Sequence, residues 1–111
     1  VLLNGSTNGK PIGVVQTATP GTLIHTAIAG AVAFDEIYLW ATNIDTVAHT
    51  ITIQFGGVAD ADALTVAFSL PPSSIPLPIV AGQNLNGGLT VRAFADTANK
   101  INISGKVNRI Q

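Results

Sequence analysis

Apolar and polar residues alternate along most of this chain, which is the pattern of β-strands with one buried face. The clearest run is 49–55, where the alternation predicts inward Ile51, Ile53 and Phe55 and outward Thr50, Thr52 and Gln54. No segment of ten or more residues repeats apolar positions at the helical spacing of three and four. The pattern therefore predicts strands throughout the chain.

Turns rich in Gly, Pro and Asn divide the chain into about eight short strands. The predicted strands are 11–17, 22–27, 34–43, 49–55, 64–70, 75–81, 89–95 and 101–107. Short strands at this spacing are typical of an all-β fold with two packed antiparallel sheets. A jelly-roll-like sandwich is the first choice, and an immunoglobulin-like sandwich is the second. We expect one domain, 1–111, with a short N-terminal arm (1–10) and a C-terminal arm (107–111).

Several strands carry more specific expectations. The short connection between 34–43 and 49–55 predicts an antiparallel hairpin. Strand 64–70 is expected to place its large apolar residues on one half-buried face: Leu64, Val66, Phe68 and Leu70. Pro76 and Pro78 cannot donate ladder hydrogen bonds, so 75–81 is predicted to lie at a sheet edge.

Strand 34–43 differs from its neighbours because neither of its faces is polar. Ile37, Leu39 and Ala41 share one face, while Tyr38 and Trp40 stand on the other. The chain contains a single Trp and a single Tyr, and both are in this strand. The aromatic face must be covered by a loop of the same domain or by another subunit.

The composition of the chain favours another subunit as the cover of this aromatic face. Charged residues are only 10% of the chain, against about 25% in ordinary soluble domains. Apolar residues make up 47%, and the net charge is -1. A neutral surface of this kind favours association with neighbours. The few basic residues are scattered, which disfavours nucleic-acid binding, and no apolar run reaches the length of a membrane-spanning helix.

The residues that could carry chemistry do not form a convincing site. His25 and His49 stand beside threonines on predicted strands, and a metal site needs three or four converging ligands. Asp60 and Asp62 lack the Gly and the distal Glu of a calcium loop. Ser73 and Ser74 have no base nearby in the sequence. We expect no enzyme, no cofactor and no bound metal.

Five segments carry a resemblance to known proteins, and they are 2–12 (LLNGSTNGKPI), 18–27 (ATPGTLIHTA), 35–43 (DEIYLWATN), 87–95 (GGLTVRAFA) and 103–110 (ISGKVNRI). Together they resemble a family of small tailed-bacteriophage proteins that are encoded among virion structural genes. The similarity spans nearly the whole chain, but its motifs are structural. It assigns no functional residue to any position.

The resemblance implies a virion protein, and its best fit is a head decoration (cement) protein on the outer capsid surface. Such a protein binds the major capsid protein, usually as a homotrimer, and bridges neighbouring capsomers. The expected contact residues are Tyr38, Trp40, Phe94, Pro76, Pro78, Leu2, Leu3 and Ile110. A neck or tail structural protein is one alternative. A surface glycan- or receptor-binding module, using the aromatic residues as a stacking platform, is the other.

Overall fold

The computed structural model describes residues 1–111 and contains eight β-strands and one short 3₁₀ turn, Asp60–Asp62. The strands are β1 (Ile12–Gly13), β2 (Thr22–Thr26), β3 (Phe34–Asn43), β4 (His49–Phe55), β5 (Ala63–Leu70), β6 (Leu77–Leu85), β7 (Thr90–Ala95) and β8 (Ile101–Ile110). The chain has no helix with the length and hydropathy needed to cross a membrane. The all-β prediction is confirmed.

The strands form two four-stranded antiparallel sheets that pack as a sandwich. Sheet A has the order β1-β8-β3-β6, and sheet B has the order β2-β7-β4-β5. In this arrangement the first strand pairs with the eighth, the second with the seventh, the third with the sixth and the fourth with the fifth. A long hairpin rolled up in this way is a jelly roll. The predicted jelly-roll sandwich is therefore confirmed.

The predicted hairpin between 34–43 and 49–55 is wrong, because β3 belongs to sheet A and β4 to sheet B. The connection crosses from one sheet to the other instead of reversing within one. Asn43 is fully buried at this crossing. Its Nδ2 donates to the carbonyl oxygens of Val47 (2.9 Å) and Leu70 (3.2 Å), and its Oδ1 accepts from the Asp45 N–H. These bonds fold the connection over the end of the sandwich.

The core lies between the two sheets and follows the predicted alternation closely. Seventeen buried apolar residues form one cluster. It includes Ile37 and Leu39 of β3, Ile51 and Ile53 of β4, and Ile103 of β8. The alternation predicts Leu89, Val91, Ala93 and Ala95 as inward residues. Val91, Ala93 and Ala95 are buried in β7, whereas Leu89 precedes the strand and is 47% exposed.

Both predicted arms are packed against the sandwich. Residues 107–110 are the second half of β8 and pair with the start of β3, with Val107 opposite Ile37 and Arg109 opposite Asp35. The N-terminal segment is held by backbone bonds between Val1 and Val107 in both directions. Leu3 is 4% exposed and belongs to the core. Of the predicted arms at 1–10 and 107–111, residues 1–3 and 107–110 therefore lie against the sandwich.

β5 departs from its predicted alternation. Leu70 is buried, but Leu64, Val66 and Phe68 are 41%, 70% and 45% exposed. The register against β4 shifts between Phe68 and Thr65, and Ala67 has a φ of 45°. This β-bulge interrupts the pleat, so Leu64 and Val66 before it do not continue the face that Leu70 begins. Phe68 lies after the bulge, opposite Ile51, and is exposed because β5 is the outermost strand of its sheet.

Candidate interaction surface

The outer face of sheet A carries Tyr38 and Trp40, and both side chains are half-buried. The Tyr38 ring packs over Gly82, and Lys106 Nζ lies 5.3 Å from the ring centroid, within cation–π range. Trp40 lies between Pro78 of β6 and Ser104 of β8. Residues of the same sheet thus cover part of the aromatic pair, and the rest faces outward.

The proline edge and the aromatic face are one continuous surface. Trp40 and Pro78 are direct partners across the β3–β6 ladder, so their side chains stand on the same face. β6 is the outermost strand of sheet A, which confirms the edge position predicted from the prolines. Ile75 is 74% exposed, and it leads through exposed Pro76 into this edge. We call this surface the sheet A patch: Tyr38, Trp40, Ile75, Pro76 and Pro78.

The other expected contact residues lie elsewhere. Phe94 is half-buried on the outer face of sheet B, on the opposite side of the sandwich from Trp40. Leu2 and Ile110 are 59% and 39% exposed and remain accessible. Leu3 is a core residue and is not available to a neighbour. The residues that we expected to form contacts with a neighbour therefore lie on two opposite faces of the sandwich and in its interior.

Sheet B has an exposed apolar strip that the sequence interpretation assigned to a half-buried face. It consists of Leu64, Val66 and Phe68 on β5, the outermost strand of that sheet. The bulge at Ala67 changes the face of Val66 and Leu64, whereas Phe68 follows the bulge, stays opposite Ile51 and is exposed on the outermost strand. Alanine gives no sign in the sequence of a left-handed conformation. No residue pattern in the chain could have located this strip.

A buried polar cluster joins the two sheets. Asp35 is fully buried and accepts bonds from Arg109 Nε to Oδ1 (2.7 Å) and from Arg109 Nη2 to Oδ2 (3.0 Å). His25, also fully buried, donates from Nε2 to Oδ2 at 2.9 Å while its Nδ1 accepts the Asn4 N–H. The hydrogen bonds from Arg109, helped by those from His25 and the Ile28 N–H, lower the pKa of Asp35 to about 2, against the opposing effect of burial.

The polar side-chain atoms of Asp35 and His25 are all bonded within the protein. Both oxygens of Asp35 are occupied, and both nitrogens of His25 are used. The Arg109–Asp35 pair links the ends of β8 and β3, and His25 adds β2 from the other sheet. The sequence interpretation missed this cluster because its members lie far apart in the chain.

His49 forms a second polar cluster at the end of the sandwich where the loops meet. Its Nε2 lies 2.7 Å from Asp45 Oδ2, and its Nδ1 lies 3.0 Å from Asp96 Oδ1 as an ion pair without an aligned hydrogen bond. The hydrogen bond to Asp45, followed by the charge of Asp96, raises the pKa of His49 against the effect of burial. No three His, Asp or Glu side chains in the chain are arranged as metal ligands, and Asp60 and Asp62 lie in the 3₁₀ turn.

Comparisons of the chain with protein-family models, with curated proteins and with solved structures find no match in any of the three. We therefore infer function from the surfaces described above. Among them, the sheet A patch is an apolar and aromatic area at a sheet edge, and its residues are not used by the fold's polar clusters. It is the best candidate for a contact with another protein.

Proposed function

We propose that the protein is a structural component of a tailed-bacteriophage virion, a head decoration protein that binds the outer capsid surface. In this role it contacts the major capsid protein, self-associates as a homotrimer and stabilises the capsid by bridging capsomers. The phage resemblance described above motivates the assignment. The observation that carries a role in assembly is the sheet A patch, which joins a half-buried Trp and Tyr to an exposed proline edge.

The chemistry of the patch suits a contact between proteins. Trp and Tyr are enriched in the residues that dominate interface energies, because they bury a large area with few rotatable bonds. The prolines have no N–H groups, so this edge is poorly suited to strand addition by a neighbour. A partner would therefore pack against side chains and would not extend sheet A. The low charge of the chain is consistent with such an interface.

The proposal is tested with capsids of the encoding phage that lack this protein. Wild-type protein and the Trp40→Ala variant are added to such capsids, and occupancy is measured by gel densitometry and by electron microscopy. The mass of each protein in solution is measured by native mass spectrometry. We expect the wild type to be trimeric and to bind, and Trp40→Ala to lose at least about tenfold in capsid affinity, as an aromatic interface residue does.

The matched control is Phe94→Ala, which truncates a half-buried aromatic residue on the opposite outer face. It should bind capsids like the wild type. Unchanged capsid occupancy and trimer mass for Trp40→Ala, with only a lower stability, would make Trp40 a structural residue and would remove the patch from the interface. A wild-type protein that forms one cyclic ring and does not bind the capsid would favour a neck protein.

A further inference from the structure

The outer face of sheet B carries an open cleft of about 540 Å³, which is in the range of small-ligand sites. Its lining includes Thr52 and Gln54 of β4, Phe94 of β7, Val66 of β5 and Asp60 of the 3₁₀ turn. The cleft lies on the opposite side of the sandwich from the sheet A patch. A ligand bound here would leave that patch free.

Irregularities of β5 build this cleft. Val66 and Ala67 lie opposite the single residue Thr52, and the Ala67 N–H donates to Thr52 Oγ1 at 3.0 Å instead of joining the ladder. A second register shift follows between Thr65 and Ala63. Bulges re-aim side chains and bend a strand, and they occur often beside functional sites. Val66, Ala67 and Ala63, which lie at these two irregularities, line the cleft beside β4.

Gln54 is the unusual residue of the lining. It is only 3% exposed although it stands on the outer face of the sheet. Its Nε2 donates to the Val58 carbonyl at 3.1 Å, which holds the carboxamide and the following loop in place. Its Oε1 is a buried acceptor without a donor among the groups of the protein. Folded proteins satisfy nearly all such acceptors, so this one is a candidate partner for a ligand donor.

The other lining groups complement this acceptor. Phe94 offers a half-buried aromatic ring, and Val66 adds apolar surface that is 70% exposed. Asp60 is exposed and brings a carboxylate, which accepts hydrogen bonds. The Thr52 hydroxyl accepts the Ala67 N–H and so keeps its own hydrogen available for donation. The cleft thus combines an aromatic ring with acceptors and one hydroxyl donor.

We propose that this cleft binds a neutral carbohydrate, with one sugar ring stacked on Phe94 and its hydroxyl groups donating to Gln54 Oε1 and to Asp60. Sugar rings present C–H groups on their faces and hydroxyl groups at their edges, which matches an aromatic ring surrounded by acceptors. A peptide strand would instead require unpaired backbone groups, and these lie along the outer edge of β5 and not on the face of the sheet. Arg92, the nearest basic residue along β7, already donates to the Gly21 carbonyl, so an acidic sugar is not favoured.

The test uses the full chain labelled with ¹⁵N and titrated separately with glucose, galactose, N-acetylglucosamine and a panel of neutral oligosaccharides. We expect at least one of these probes to shift the amide signals of Thr52, Gln54 and Phe94. Phe94→Leu keeps an apolar side chain but removes the ring, and it should weaken binding about tenfold. The matched control, Tyr38→Leu, makes the same kind of change on sheet A and should leave the affinity unchanged.

Thermal unfolding of each variant checks that it is folded before it is titrated. Cleft signals that do not shift with any probe of the panel would overturn the proposal. Binding that survives Phe94→Leu unchanged would overturn it as well. Cleft signals that move with protein concentration or on addition of capsid, but not with sugar, would assign the cleft to a protein contact instead.

Discussion

Trp40 of β3 lies directly opposite Pro78 of β6, and this pairing joins two segments that the sequence presents as separate. The aromatic face and the proline edge become one patch because the two strands are neighbours in sheet A. Trp40 is half-buried there, in contrast to fully buried Leu39 on the core side of the same strand. A partner could cover the exposed part of the patch without any rearrangement of the core.

The first prediction concerns the share of Trp40 in the stability of the isolated protein. Trp40→Ala should lower the free energy of unfolding by about 1–2 kcal/mol, because only part of the side chain is withdrawn from water. Leu39→Ala, one position away, should cost at least about 3 kcal/mol because it opens a cavity in the core. Urea unfolding of both variants measures the difference. Equal losses would mean that Trp40 is a core residue.

The second prediction concerns the ion pair between partly exposed Arg109 and buried Asp35. Arg109→Met leaves a buried carboxylate without its main partner and should cost at least about 2 kcal/mol of unfolding free energy. Lys106→Met changes a basic residue of the same strand that only covers the Tyr38 ring, so its cost should be within about 1 kcal/mol. A loss for Arg109→Met no larger than that of the control would contradict a structural role for the cluster.

The same cluster predicts how stability changes in acid. The pKa of Asp35 is lowered from 3.8 to about 2, chiefly by the hydrogen bonds from Arg109. A folded-state pKa below the unfolded value means that the native state is stabilised above the unfolded pKa. That stabilisation should be lost as the pH falls from about 4 to about 2. Asp35→Asn should flatten this part of the profile, measured by urea unfolding at each pH.

The His49 cluster predicts the opposite dependence nearer neutrality. The pKa of His49 is raised above 6.5, first by the hydrogen bond to Asp45. The contribution of His49 to the free energy of unfolding is therefore complete below the pKa that this residue has in the unfolded state. It should be lost as the pH rises through the folded pKa. An NMR titration of the His49 ring should show a larger fall in pKa for Asp45→Asn than for Asp96→Asn. A larger fall for Asp96→Asn would mean that Asp96, and not Asp45, contributes most to the raised pKa of His49.

A fifth prediction tests the close contact between β8 and β3. A Cβ at Gly105 would collide with the backbone carbonyl oxygen of Tyr38, which cannot move without disturbing the ladder. Gly105→Ala should therefore lower the free energy of unfolding by at least about 2 kcal/mol. In β1, a Cβ at Gly13 would lie 3.7 Å from Asn102 Oδ1, an ordinary contact, so Gly13→Ala should be nearly neutral. Equal effects of the two variants would contradict the register of β8.

The sequence was sufficient for the fold class because the core depends on local alternation. Ile51 and Ile53, or Val91 and Ala93, are inward in the structure as their spacing predicts. The sequence was not sufficient to predict which strands pair. The same alternation allows β4 to follow β3 in one sheet or to cross to the other sheet. At the crossing, the buried carboxamide of Asn43 donates to the carbonyl oxygen of Leu70, which is 27 positions away.

The candidate sites were predictable to a smaller extent. Tyr38, Trp40, Pro76 and Pro78 could be selected from the sequence because aromatic residues on a second face and prolines in a strand are unusual. Their union into one patch required the register of β3 against β6. The cleft beside Gln54 depends on the bulge at Ala67, and the cluster around Asp35 joins residues 74 positions apart. Neither leaves a local signal in the sequence.

The most direct test of the central proposal is a cryo-electron microscopy map of the phage particle to which we propose that this protein belongs. We predict trimers of the jelly-roll domain at local threefold positions on the outer capsid surface, with Trp40 and Pro78 within an interface. A single ring of this domain at the neck or in the tail, or its absence from the particle, would contradict the proposed role as a head decoration protein.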